Sequence, residues 1–182
     1  RLDPDQRVWR RLPPDQLPPI LRQWIGARAP RLVIAGSHGA VREAAEALAR
    51  RMFEATPRIT PLGEALRQEA PLISLEEARP EPVLIIGLHG EVDALLAANG
   101  LPPRPAMLNG RGSAQVWTVQ RSQGPPSPPL AVVSARDAAA LAALLPPLPH
   151  YGGQSWLAFD GSKAIDRGVW AAPGVLVPVS AP

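Results

Sequence analysis

Two short runs free of charge and of hydrogen-bonding side chains, Leu32 to Ala35 and Val83 to Leu88, constrain this chain more than any other feature. A strand that is apolar throughout, rather than at every second residue, has both faces buried, and that happens in a parallel sheet covered by helices on each side. Each run leads into a helical pattern. After the first, Val41, Ala44, Ala45, Leu48, Ala49 and Met52 recur at spacings of three and four; after the second come Val92, Leu95 and Leu96, stopped by Asn99 and Gly100. Strands alternating with amphipathic helices predict an α/β protein with a flavodoxin-like, doubly wound, mainly parallel sheet of four to five strands. In that layout the two apolar runs are neighbours and parallel.

The remaining elements fit around this pair. The 182 residues, 46% of them hydrophobic, are enough for one core and too few for two ordinary domains. Residues 1–19 read as a proline-rich arm or linker and residues 20–182 as a single α/β accessory domain. The chain opens on Arg1 rather than Met, and we expect a domain cut from a longer protein. Ile20, Leu21, Trp24 and Ile25 form one apolar stripe, with Gly26 where a short docking helix would stop. Thr60 before Pro61 marks a further helix start, with the hydroxyl as cap. Gln115 to Gln120 and Leu130 to Val133 read as strands, joined by the proline-dense loop from Ser122 to Pro129. Ser134 with Asp137 resembles a capping box ahead of a last helix that buries Leu141, Leu144 and Leu145. Trp156 to Phe159 and Val175 to Val179 read as a C-terminal antiparallel edge hairpin, because Pro178 cannot serve a central ladder.

Charge narrows the partners. The net charge is +3 and the pI about 10.5, because the bases are nearly all arginine and Lys163 is the only lysine. These arginines are scattered beside acids, as Arg42 is beside Glu46, instead of clustering on a face interleaved with aromatics, so no nucleic-acid partner is expected. With no cysteine there is neither a disulfide framework nor a thiolate metal site, and the compartment stays open. The longest apolar runs are far short of the roughly 20 residues of a spanning helix, so no direct membrane span is expected.

Ligands of open α/β sheets sit at the carboxyl ends of the strands. Two similar turns stand there, Gly36-Ser37-His38-Gly39 and Gly87-Leu88-His89-Gly90. Free amides at the two helix starts could hold an anion or nucleotide, with His38 and His89 beside it; equally, the glycines simply permit tight turns. Neither loop has the lysine and hydroxyl of a P-loop or a full dinucleotide fingerprint. Ala35-Gly36-Ser37-His38-Gly39 also approximates a nucleophile elbow, which would make Ser37 a hydrolase nucleophile with His150 as base and Asp137 or Asp160 as acid. A helix N-cap explains Ser37 without chemistry. His38, His89 and His150 lack metal-site spacing, and no metal or cofactor is expected. Asn109-Gly110-Arg111-Gly112-Ser113 either cradles a phosphate or only turns.

A resemblance adds a partner. Leu148-Pro149-His150-Tyr151-Gly152-Gly153-Gln154-Ser155-Trp156-Leu157-Ala158-Phe159, continuing to Gly168-Val169-Trp170, resembles a carboxyl-terminal signature of bacterial proteins in the gluzincin, aminopeptidase N-like metallopeptidase clan. Trp9-Arg10-Arg11-Leu12-Pro13-Pro14 is similar to a segment behind the peptidase domain of such proteins. The zinc motif H-E-x-x-H is absent here, so what the resemblance implies is a noncatalytic accessory domain, with a neighbouring domain or subunit of a larger protein as its partner. It also implies an extracytoplasmic or membrane-associated parent. Trp9 and Leu12 in the arm, and Trp24 on the short helix, are the residues expected at an interface. The alternatives are a small serine hydrolase using Ser37 and an anion- or nucleotide-binding module at the Gly-x-His-Gly turns. Because the arm is too irregular to bury Trp9 and Leu12 by itself, deleting residues 1–19 is expected to lower the melting temperature or abolish association with a partner; a deletion leaving both unchanged would refute the docked arm.

Overall fold

A computed structural model describes residues 2–3, 8–9, 17–28, 30–36, 39–67, 81–119 and 128–171. Nine strands are assigned among them: β1 (Leu2–Asp3), β2 (Val8–Trp9), β3 (Arg31–Ile34), β4 (Arg58–Ile59), β5 (Val83–Leu88), β6 (Ala114–Thr118), β7 (Leu130–Ala135), β8 (Trp156–Asp160) and β9 (Lys163–Gly168). The α-helices are α1 (Gly39–Met52), α2 (Leu62–Leu66), α3 (His89–Ala98) and α4 (Ala138–Ala142). β3 to β9 form one seven-stranded sheet in the order β4-β3-β5-β7-β6-β8-β9. The first four in that order are parallel and the last three antiparallel, giving a mixed α/β fold.

The two apolar runs are parallel neighbours, Leu32 opposite Leu84 and Ile34 opposite Ile86. Alternate residues of the sheet feed two separate cores. Leu32, Leu84, Ile86, Val133 and Phe159 face α1 and α4, while Val33, Ile85, Trp117 and Val132 face α2 and α3. β5 has its first four residues fully buried, which is why its sequence never alternates. β6 runs antiparallel to β7 because the short, proline-dense connection between them cannot hold the helical crossover that a parallel pair needs.

Several local expectations change. The hairpin partner of Trp156–Asp160 is Lys163–Gly168, not Val175 to Val179, which lies outside the described residues. Asp160 and Lys163 pair across a two-residue connection that starts at Gly161 with φ +57°, a backbone suited to tight hairpins. β8 is therefore flanked on both sides, by β6 and β9, and is no edge strand. Within the arm, Leu2 pairs with Trp9 and Asp3 with Val8, so it contains a short antiparallel ladder; Leu12 lies outside the described residues. Thr60 does not cap α2: Pro61 is the N-cap residue, and the Thr60 hydroxyl has no partner among the described residues.

Trp24 sits in the core rather than at an interface. The stripe from Leu21 forms a 3-10 turn, Leu21–Gln23, held by backbone bonds from Leu21 N to Gln154 O and from Arg22 N to Gly152 O, both 2.8 Å. This seats the Trp24 indole at 0% exposure, and its Nε1 donates to the Val83 carbonyl at 2.9 Å. The ring thus fills space and satisfies a polar group at the entrance to β5. Trp24→Phe is expected to cost about 1 kcal/mol through the lost hydrogen bond, and Trp24→Ala about 3–5 kcal/mol through the cavity as well. Urea unfolding of both variants checks the order.

Candidate functional site

The carboxyl ends of the parallel strands carry a polar cluster that starts at Ser134. Ala135 ends β7 opposite Leu88, and the chain then turns so that Asp137, not Ser134, caps α4. The Asp137 Oδ1 accepts from Ala140 N at 2.8 Å, and the carboxylate also accepts from Arg136 Nε at 3.2 Å. Both bonds, the backbone one foremost, hold the Asp137 carboxyl below its usual range. The expected capping box is therefore absent, and the Ser134 hydroxyl is left for tertiary contacts.

Two groups take it up. Arg104 donates from Nη1 to Ser134 Oγ at 2.6 Å, and His89 Nδ1 lies 3.0 Å from the same oxygen. Arg104 has no acceptor to offer, so Ser134 Oγ accepts there and its single proton is free for His89. Using that proton assigns His89 Nδ1 as the acceptor and the ring proton to Nε2. Burial first, then the positive charge of Arg104, lowers the His89 pKa from its ordinary 6.5. A neutral imidazole is what this bond requires.

Arg104 is the hub. Its side chain is 7% exposed, and it reaches Gln115 Oε1 from Nη1 and Asp93 Oδ1 from Nη2 at 2.9 Å. Its guanidinium lies over the Trp117 ring, 5.1 Å from the ring centre, a cation–π contact. Gln115 Nε2 passes the chain on to Arg111 O at 2.8 Å. A buried cation is tolerated when it is paired and hydrogen-bonded, as this one is. Sequence reasoning missed Arg104 because it stands between Pro103 and Pro105, where no periodic pattern marks it.

Beside this network lies a cleft of about 310 Å³ bordered by His89, Asp93, Asn109, Gly110 and Arg136. Gly110 and Gly112 have φ of +68° and +67°, and a Cβ on Gly112 would come within 2.1 Å of Phe159 O, so the Asn109 to Ser113 turn requires its glycines for shape.

The two Gly-x-His-Gly turns are not equivalent. Ser37 and His38 lie outside the described residues. Gly36 has φ +88°, and a Cβ there would fall 2.2 Å from the Glu91 carboxylate, so the side chain of Glu91 fills the space over this turn where an anion was expected. Gly87 is needed for packing, since a Cβ would meet Ala35 at 2.7 Å, whereas Gly39 and Gly90 face open space. His89 is thus the one member of that candidate set seen in a polar cluster. His150 is exposed at the end region of a 3-10 turn, Leu148–Tyr151, and Asp137 is engaged at α4. Among the described residues no three His, Asp or Glu side chains gather as metal ligands, and no helix is long and apolar enough to cross a membrane.

No family model matches this sequence, and comparison with curated proteins found no match.

The lowered His89 pKa sets a pH dependence. The unfolded chain takes up a proton as pH falls through about 6.5 while the folded chain resists it, so stability is full above 6.5 and is lost as pH falls toward the folded value. Denaturant midpoints are expected to decline on acidification below pH 6.5. His89→Asn, whose amide oxygen can still accept from Ser134, should flatten that decline; an unchanged slope would remove His89 as its source.

Proposed function

We propose that this chain is a noncatalytic accessory domain that packs against another domain or subunit of a larger, metallopeptidase-like protein. The observation that supports it most is the closed state of the strand-end cluster. Ser134, among the described residues the one hydroxyl there within reach of an imidazole, is 0% exposed and already accepts from Arg104. A nucleophile must be reachable by substrate, and this one is covered. Arg104 in turn is occupied by Gln115, Ser134 and Asp93. Ser134 and Arg104 are thus committed to each other and to their neighbours.

The surface is compatible with packing. β9 is the last strand of the sheet among the described residues, and Ile165 and the following Val169 are exposed large apolar residues at that side. The class of parent rests on the resemblance carried by Leu148 to Phe159 and Gly168 to Trp170. The aromatics of that segment have structural work in the fold: Tyr151 meets Phe159 edge-on at 5.6 Å, and Trp156 lies 6.4 Å from Trp170. The finer flavodoxin-like assignment rests on the parallel strands, whose order β4-β3-β5-β7 is 2-1-3-4 among themselves. A second reading, anion binding, is favoured by the polar cleft at His89, with Ser37 and His38 set aside.

The purified chain is expected to hydrolyse neither aminoacyl amides nor simple esters above background and to bind no stoichiometric zinc. Turnover abolished by Ser37→Ala or His150→Ala would overturn the accessory reading in favour of a hydrolase. Zinc lost on replacing His38, His89 or His150 would reveal a metal site instead.

A further inference from the structure

His89, Arg136 and Asn109 border one polar cleft and bring N–H donors to it. We propose that this cleft binds a small organic oxyanion, a carboxylate or phosphate carrying a short apolar body. The proposal deepens the anion-binding reading and is independent of whether the chain is an accessory domain.

The donor set follows from the bonds already made. His89 spends Nδ1 on Ser134, so Nε2–H is the donor that the ring retains on the cleft side. Arg136 meets Asp137 through Nε only, which leaves its two terminal nitrogens to fork onto an oxyanion; its side chain is 71% exposed and lines the cleft. Asn109 also lines the cleft and adds an amide. The one carboxylate bordering the space, Asp93, is neutralised by Arg104 at 2.9 Å. Arg136 is likewise paired, with Asp137 at 3.2 Å, so what the cleft offers an oxyanion is unused N–H donors rather than an excess of positive charge. Among the described residues no aliphatic side chain and no Phe, Tyr or Trp lines it, which disfavours a wholly apolar ligand.

The apolar part has its own place. A second hollow of about 390 Å³ shares Asp93, Arg104 and Asn109 with the first and adds Ala97, Leu101 and Pro103. The two hollows adjoin across Arg104 and Asn109. An occupant with its charged head at His89 and Arg136 would lay a short hydrocarbon along Ala97, Leu101 and Pro103.

The test titrates the purified chain with inorganic phosphate, acetate and hexanoate against sodium chloride at equal ionic strength. Melting temperature and the ring ¹⁵N resonances of His89 are followed. All three anions are expected to raise the melting temperature beyond chloride and to shift the Nε2 resonance, with hexanoate binding about tenfold more tightly than acetate through its buried methylenes. Arg136→Ala, a surface change, should weaken all three about tenfold. His89→Asn, which keeps an acceptor for Ser134 and removes the Nε2 donor, should abolish the stabilisation. Ala97→Asp, on an exposed position, should erase only the advantage of hexanoate. Stabilisation no greater than that by chloride, or stabilisation kept in full by Arg136→Ala and His89→Asn alike, overturns the site. Equal affinity for acetate and hexanoate overturns the apolar subsite. None of these results bears on hydrolysis or zinc content, so failure here is separate from failure of the accessory-domain reading.

Discussion

The burial of β5 on both faces governs the rest of the molecule. A strand with Val83, Leu84, Ile85 and Ile86 fully buried cannot be satisfied by water, so its backbone must be paired along both edges, and β3 and β7 supply that pairing in parallel. Its two ends are then fixed points. At the amino end the Trp24 indole takes the Val83 carbonyl; at the carboxyl end Leu88 passes directly into α3 and presents His89. The amino-terminal turn and the polar cluster thus stand at opposite ends of one strand and share its rigidity.

The chemistry at the carboxyl end depends on a competition between two cap formers. Asp137 wins the helix because Ser134 is still held in the strand ladder, opposite Gly87 on one side and Gln115 on the other. Freed from capping, Ser134 joins Arg104 to His89 and fixes a neutral ring. Had Ser134 capped α4, Arg104 would lack one of its acceptors and His89 the donor that sets its tautomer. The polar cluster is a by-product of where β7 ends, two residues before the helix cap.

What was legible in the sequence follows the same physics. The two central strands and their adjacency could be read because full burial leaves an unbroken apolar run. Gly100, with φ +62°, closes α3 where Asn99 and Gly100 had marked its end. β9 could not be read, because an edge strand alternates half-buried and exposed residues and here carries Lys163, Asp166 and Arg167, which look like loop. The Gly161-Ser162 connection was the available signal. The choice between Ser134 and Asp137 as cap was beyond reach, since both are good caps and only the strand register decides. Arg104 left no periodic trace, and the one hint was an arginine fixed among Pro102, Pro103 and Pro105. Trp24 was placed correctly on an apolar stripe, but a stripe alone does not say whether its cover is the same chain or another.

One buried junction has a kinetic side. Thr118 is fully buried, and its hydroxyl and that of Ser155 both donate to the Pro19 carbonyl, at 2.9 and 2.7 Å, while Trp170 Nε1 donates to Thr118. These bonds join positions separated by 99, 136 and 52 residues. Closing loops of that length costs chain entropy before any bond rewards it, which makes the junction a poor nucleus for folding. It forms once β6 and β8 are already side by side, and it clamps the two ends of the domain onto a finished sheet. Its contribution is then expected to fall on the rate of unfolding rather than on the rate of folding, as a late lock that lengthens the lifetime of the native state.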